Sequence, residues 1–324
     1  TSAGGHAERL TAGTALSTHA RFSPDGRTLA FIGREEGPEE VFTMPADGGP
    51  AQRLTFQGAS RMRMAGWRPD GAEILYASAA GQFTPRKVIL QSISPAGGEP
   101  RALPYGAANA IAFGPGGITV LGRNMREPAF WKRYRGGTAG YFWIDRTGDG
   151  AFQRFLTLPG DMAGPCFAGQ RFYFLSDHEG LGMVYSCLPD ASDLRRHGHN
   201  SEFYARNLTT DGQRLVFHAG GDLFVLDPAQ GGVRRVPVVL PGAQPQRARK
   251  FVPAAPNLES ATLDAGGKTL ALIARGKAFG LAPFDGPVVQ FGAPDGVRYS
   301  RLSWLAGGQR LVGVEDAGTE PRLV

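Results

Sequence analysis

Apolar residues in this chain come in short β-rich runs, and each run is broken by a turn built from Gly, Asp, Pro or Asn. One motif recurs: an aromatic or apolar residue, a Gly-containing turn, then a β-rich run. It reads RFSPDGRTLAFIG from Arg21 and GWRPDGAEILYAS from Gly66. Looser copies are AFGPGGITVLG, CFAGQRFYFLS, NLTTDGQRLVFHA, LDAGGKTLALIA and WLAGGQRLVGV. The turn glycines Gly26, Gly71, Gly117, Gly169, Gly212, Gly267 and Gly308 follow one another at 45, 46, 52, 43, 55 and 41 residues. A second beat falls between them, as in VFTMPADGGPAQRLT and LFVLDPAQGGVRRVPV. Each period therefore holds four short strands, with hairpin turns of Asp-Gly or Gly-Gly that accept positive φ.

Four antiparallel strands per period of about 45 residues make one blade of a β-propeller. A β-sandwich with accidental spacing is the competing architecture, and seven near-regular turns disfavour it. Full blades begin near His19, Met64, Ala108, Ala163 and Phe203. The opening AGGHAERLT matches an outer-strand beat, with a remnant expected over Ala7–Thr11. The predicted fold is all-β, with a six-bladed first propeller over residues 1–239 whose first blade is incomplete. Residues 240–256, LPGAQPQRARKFVPAAP, lose the alternation and read as a linker. Residues 257–324 read as the first blades of a second, truncated propeller.

Composition sharpens this picture. The 324 residues include 47 Gly and 24 Pro, well above the usual ~7% and ~5%. With 42% hydrophobic residues the chain still has a core to bury. No apolar run approaches the ~18 residues of a membrane helix. Two cysteines fit a reducing compartment, and a net charge of +6 is modest. Residue 1 is Thr and no signal peptide is read. The whole is read as an excerpt of a longer protein.

Most candidate chemistry dissolves on inspection. There is no G-x-S-x-G elbow and no H-E-x-x-H. GGKT at Gly266–Thr269 is a blade turn with Thr262 where a phosphate-binding loop needs its first Gly. DRTGDG at Asp145–Gly150 lacks calcium-loop spacing and reads as a hairpin turn. His197 and His199 form an H-x-H pair with no third ligand in view. Cys166 and Cys187 fall on the first and third strands of one blade, beyond disulfide reach. No metal site, cofactor or catalytic residue is assigned.

The segment RNMREPAFWKRYRGG, Arg123–Gly137, is different. Arg126, Lys132, Arg133 and Arg135 interleave with Trp131 and Tyr134, against the single acid Glu127. It is inserted between two strands of one blade and accounts for the 52-residue period. Long loops on rigid scaffolds carry function, and Trp, Tyr and Arg are interface anchors. An interface or peptide-contact loop is expected; a solvated loop and a single-stranded nucleic-acid contact are the alternatives.

The stretches VLGRNMREPAFWKRYRGGTAGYFWID (Val120–Asp145) and SDLRRHGHNSEFYARNLTTDGQRLVFHAGGDLFVLDP (Ser192–Pro228) resemble the first propeller of the tricorn protease family. The resemblance covers essentially the whole chain, and the break after residue 239 matches the family's passage from a six- to a seven-bladed propeller. It implies the non-catalytic propeller region of a cytosolic, homohexameric serine peptidase that degrades oligopeptides. Peptide channelling, anchoring of the substrate C-terminus and assembly are the implied roles. The implied partners are oligopeptide substrate or product and the catalytic domains of the same polypeptide, with no nucleic acid and no membrane. In the family, paired arginines on a first-propeller loop hold the substrate carboxylate. The corresponding segment here, QGASRMRMAGW (Gln57–Trp67), is shorter and has Arg61 and Arg63 two apart. On an extended segment both point to one side and can meet one carboxylate, though two solvated loop charges fit the same pattern. A stand-alone TolB-like binding propeller and the propeller of a prolyl-oligopeptidase-type enzyme are the competing resemblances.

Overall fold

The computed structural model describes residues 3–198, 202–242, 250–318 and 320–324. The chain forms two compact units, Thr1–Pro241 and Gly242–Val324. Residues 243–249 of the expected linker lie outside the described residues.

The first unit is a β-propeller of four-stranded antiparallel blades. Blade one runs Ser17–Phe22, Thr28–Gly33, Glu40–Pro45 and Gln52–Arg53. Blade two runs Met62–Trp67, Ile74–Ser78, Ile89–Ile93 and Arg101–Ala107. Blade three runs Ala110–Phe113, Thr119–Arg123, Tyr141–Asp145 and Gln153–Phe155. Blade four runs Met162–Ala168, Arg171–Ser176, Met183–Cys187 and Arg195–His197. Blade five runs Arg206–Thr210, Leu215–Ala219, Asp222–Leu226 and Val233–Val236. The innermost strands of these five blades pack side by side in chain order. In blades two to four the second and third strands lie between neighbouring blades, so both of their faces are covered. Ile74–Ser78 and Met183–Cys187 are buried at every position, and each reads as a near-continuous apolar run. Outer strands such as Gln52–Arg53 are polar and half exposed.

The recurring turn explains the sequence period. All seven turn glycines have positive φ, from +57° at Gly169 to +90° at Gly308. In blade one the Ser23 hydroxyl donates to Asp25 (2.6 Å), and the amides of Arg27 and Thr28 donate to the Asp25 and Ser23 side chains. A Cβ at the glycine would strain this left-handed turn.

Two features depart from the expectations. The opening strand is Gly5–His6, not Ala7–Thr11, and it pairs parallel with Val238–Val239 at the other end of the unit. In addition, the innermost strands of blades one, two, four and five shift register against their partners. His19, Gly66, Gly164 and Asn207 take positive φ at these bulges, so the backbone beside them is re-aimed.

An aromatic cluster forms the core of blades three to five. Phe142 meets Phe172 edge-to-face at 5.1 Å, and Phe172 stacks on Phe174 at 5.6 Å. Cys166 and Cys187 are free and buried on the first and third strands of blade four. Burial pushes the Cys166 thiol up to about 12 and Cys187 up to about 11.

The second unit holds a four-stranded sheet (Leu258–Leu263, Leu270–Ala274, Lys277–Leu281, Val289–Phe291) and a three-stranded one (Arg298–Leu305, Arg310–Asp316, Arg322–Leu323). Both innermost strands carry the same register shift. No helix among the described residues is long and apolar enough to cross a membrane.

Candidate functional site

Antiparallel blades put their second-to-third-strand loops at one end of the propeller, beside the starts of the innermost strands. On this end Arg61 and Arg63 stand at the entrance to the innermost strand of blade two. They line one pocket of about 90 Å³ together with Arg86 and Lys87, from the adjacent loop of the same blade, and Arg126 of the insert. No Asp or Glu lines it. Small side chains, among them Ala77, Ala107 and Ala108, leave the space open.

The two sequence-predicted arginines are not equivalent. Arg61 is exposed and has no ion pair among the described residues. Arg63 is partly buried, 3.7 Å from Glu127 Oε1, and its Nη1 reaches the Met125 carbonyl at 3.5 Å. Burial lowers the Arg63 pKa, and Glu127 works against that shift. Beside it, burial followed by the charges of Arg63 and Arg21 lowers His19 to about 4, so its ring is neutral.

The insert between Arg123 and Tyr141 is held by carboxylates. Glu127 is buried, and its Oε1 accepts the Asn207 amide of blade five at 3.1 Å. Its Oε2 has no partner among the described residues. Burial raises the Glu127 pKa, opposed by Arg63 and the Asn207 amide. Asp177 of blade four accepts the Arg133 amide, and Asp161 accepts the Gly140 amide at 3.0 Å. Burial, then the Asp177 charge, raises the Asp161 pKa. Asn109 brackets Met125 with two hydrogen bonds, 2.9 and 3.1 Å. The insert thus leaves blade three and is fastened to blades two, four and five.

Its basic and aromatic residues face outward on this base. The Arg126 guanidinium lies 4.1 Å from the Trp131 ring, and Trp131 packs on Tyr134 at 5.1 Å. Lys132 lies over Tyr204 at 5.3 Å, and Arg206 over Phe130 at 5.2 Å. Arg135 lines a separate open hollow with Arg154 and Gly160. Of the predicted loop residues, only Arg126 joins Arg61 and Arg63 in the cationic pocket.

Sequence reasoning missed Arg86 and Lys87. Their signal was the basic pair in FTPRKV, on a loop of the same blade. It also missed the fastening role of Glu127, Asp161 and Asp177. Among the described residues no group of three or more His, Cys, Asp or Glu is placed to hold a metal ion. His197 contacts Ser186 Oγ at 2.8 Å, while His199 lies outside the described residues. The Asp145 carboxylate is filled by the amides of Thr147, Gly148 and Gly150, closing its hairpin turn.

Four-stranded antiparallel blades whose innermost strands pack side by side define a β-propeller. Residues 1–232 match the family model of the tricorn protease N-terminal β-propeller domain. The chain is 40% identical to tricorn protease homolog 1 of Streptomyces coelicolor over 99% of its own length and 30% of that protein. It is 34% identical to the tricorn protease homolog of Saccharolobus solfataricus, over 98% of this chain and 29% of that one. Among solved structures, the crystal structure of the tricorn protease superposes with a TM-score of 0.66 at 26% identity, covering 94% of this chain and 30% of that one. The chain belongs to the tricorn protease family and spans about 30% of the length of the curated relatives it matches. That membership selects among the three resemblances weighed from the sequence.

Proposed function

We propose that this chain is the non-catalytic propeller region of a tricorn-type serine peptidase and that its cationic pocket anchors the C-terminal carboxylate of oligopeptides. The observation that carries the reading is a pocket with five cationic side chains and no acid in its lining. Arginine suits the task because its planar fork binds a carboxylate bidentately. Hydrolysis, by acyl transfer through an activated serine, belongs to catalytic domains carried elsewhere in the same polypeptide. In this reading the region channels peptides toward or away from those domains within a cytoplasmic homo-oligomer, a hexamer as the family resemblance implies. The outward Phe130–Tyr134 face serves peptide or subunit contact.

The test is fluorescence anisotropy with one labelled oligopeptide in free-acid and C-terminally amidated forms. The free acid binds more tightly, and Arg61→Ala with Arg63→Ala weakens it about 10- to 100-fold, the size of a hydrogen bond to a charged group. The amidated peptide changes little. Equal losses for both forms, or none for either, remove these arginines from the site.

A further inference from the structure

The pocket carries more positive charge than one carboxylate neutralises. Of its five cations only Arg63 lies within ion-pair distance of an acid, Glu127, among the described residues. Arg61, Arg86, Lys87 and Arg126 have no ion pair among the described residues. They come from three separate segments: the approach to the innermost strand of blade two, the loop following Ser78, and the insert. The cations are therefore positioned independently: Arg61 and Arg63 by the innermost strand of blade two and the approach to it, Arg86 and Lys87 by the loop of that blade, and Arg126 by the insert, next to the clamped Met125.

We infer that the pocket selects peptides whose C-terminal residue is itself acidic, so that two carboxylates of one residue enter together. This rests on the carboxylate-anchor reading. The α-carboxylate lies against Arg61 and Arg63, and the Asp or Glu side chain meets Arg86, Lys87 and Arg126. Like charges crowded in one pocket repel, and a second carboxylate relieves more of that repulsion than a first can alone. The base is organised in advance, because Asn109, Met125 and Glu127 hold one wall through hydrogen bonds and an ion pair. Arg86 and Lys87 are solvent-exposed, so water screens them and the preference is modest.

The experiment uses four labelled peptides of otherwise identical sequence: free acids ending in Ala or Asp, and the amide of each. Binding is read by anisotropy at low and at physiological salt. The Asp acid binds about fivefold more tightly than the Ala acid, as expected for partly exposed charge pairs, and the ratio shrinks as salt rises. Arg86→Gln with Lys87→Gln brings the Asp-to-Ala ratio close to one. Lys268→Gln with Arg310→Gln, two exposed residues of the second unit, keeps the ratio and controls for the two charges removed. Equal binding of the two acids, both tighter than the amides, overturns this inference and leaves the anchor standing. Equal binding of all four peptides overturns both. A ratio that survives Arg86→Gln with Lys87→Gln also overturns the inference.

Discussion

Two tryptophans, one in each unit, sit at equivalent places and have unequal surroundings. Trp67 ends the innermost strand of blade two and donates its indole N–H to the Arg21 carbonyl of blade one at 3.2 Å. Trp304, on the innermost strand Arg298–Leu305, donates to the Thr262 carbonyl of the preceding sheet, also at 3.2 Å. The repeat thus reproduces the sheet-to-sheet tie together with its turn and its strand bulge. Burial is reproduced only in part. Ala271, Ile273 and Ala278 of the second unit are as inaccessible as Tyr76, Phe172 and Leu215 of the first, whereas Leu258, Leu263 and Leu305 are about half exposed. Local geometry follows from the residues of the repeat, and burial from what covers each sheet.

The strongest way to break this comparison is in the two cores. Phe172→Ala removes a fully buried ring and is expected to cost the first unit about 3–5 kcal/mol. Leu305→Ala in the second unit is expected to cost no more than about 0.5 kcal/mol. Hydrogen exchange read unit by unit checks both, and comparable losses would erase the contrast.

Acid comes next. Every histidine of the chain lies before residue 242. Burial, followed by neighbouring arginine charges, lowers both His19 and His197 to about 4 from an ordinary value of 6.5. Between those values the unfolded chain binds more protons than the folded one, so stability falls as pH drops from about 6.5 toward 4. The first unit is expected to lose stability over this window and the second to hold. His19→Asn with His197→Gln should flatten the loss, as followed by urea midpoints of exchange protection. An equal loss in both units would assign the effect to carboxylates.

The smallest effect sharpens the likeness. Trp67→Phe and Trp304→Phe each delete one hydrogen bond and should each cost about 1 kcal/mol in their own unit. Unequal costs would mean that the tie depends on the burial around it.

The turn glycines, the four-strand beat and the blade starts were legible because each turn demands positive φ, and Gly or Asp-Gly announces it in one residue. The innermost bulges were not legible. His19 and Asn207 are ordinary residues by sequence, and they take left-handed geometry from the packing of neighbouring strands. The Gly5–His6 pairing was hidden too, because its partner lies more than two hundred residues away. In the site, Arg61, Arg63 and Arg126 stood out by charge. Arg86 and Lys87 did not, since a basic pair in a loop looks like solvated surface until the fold brings it to the same pocket as the other cations. Glu127 was visible only as the lone acid of a basic segment; its contacts with blades two and five depend on how the insert runs across the end of the propeller.

The Glu127–Asn207 hydrogen bond joins residues 80 positions apart, far beyond the span of any hairpin in the chain. Contacts that close so long a stretch form late, after local hairpins have shortened the effective search. The blades can zip up from their own turns, but the pocket wall that depends on the insert is completed only when blade five is in place. Until blade five has folded, the Asn207 amide is not there to receive Glu127, and the insert is held only by the contacts of its nearer neighbours, such as Asn109 on Met125.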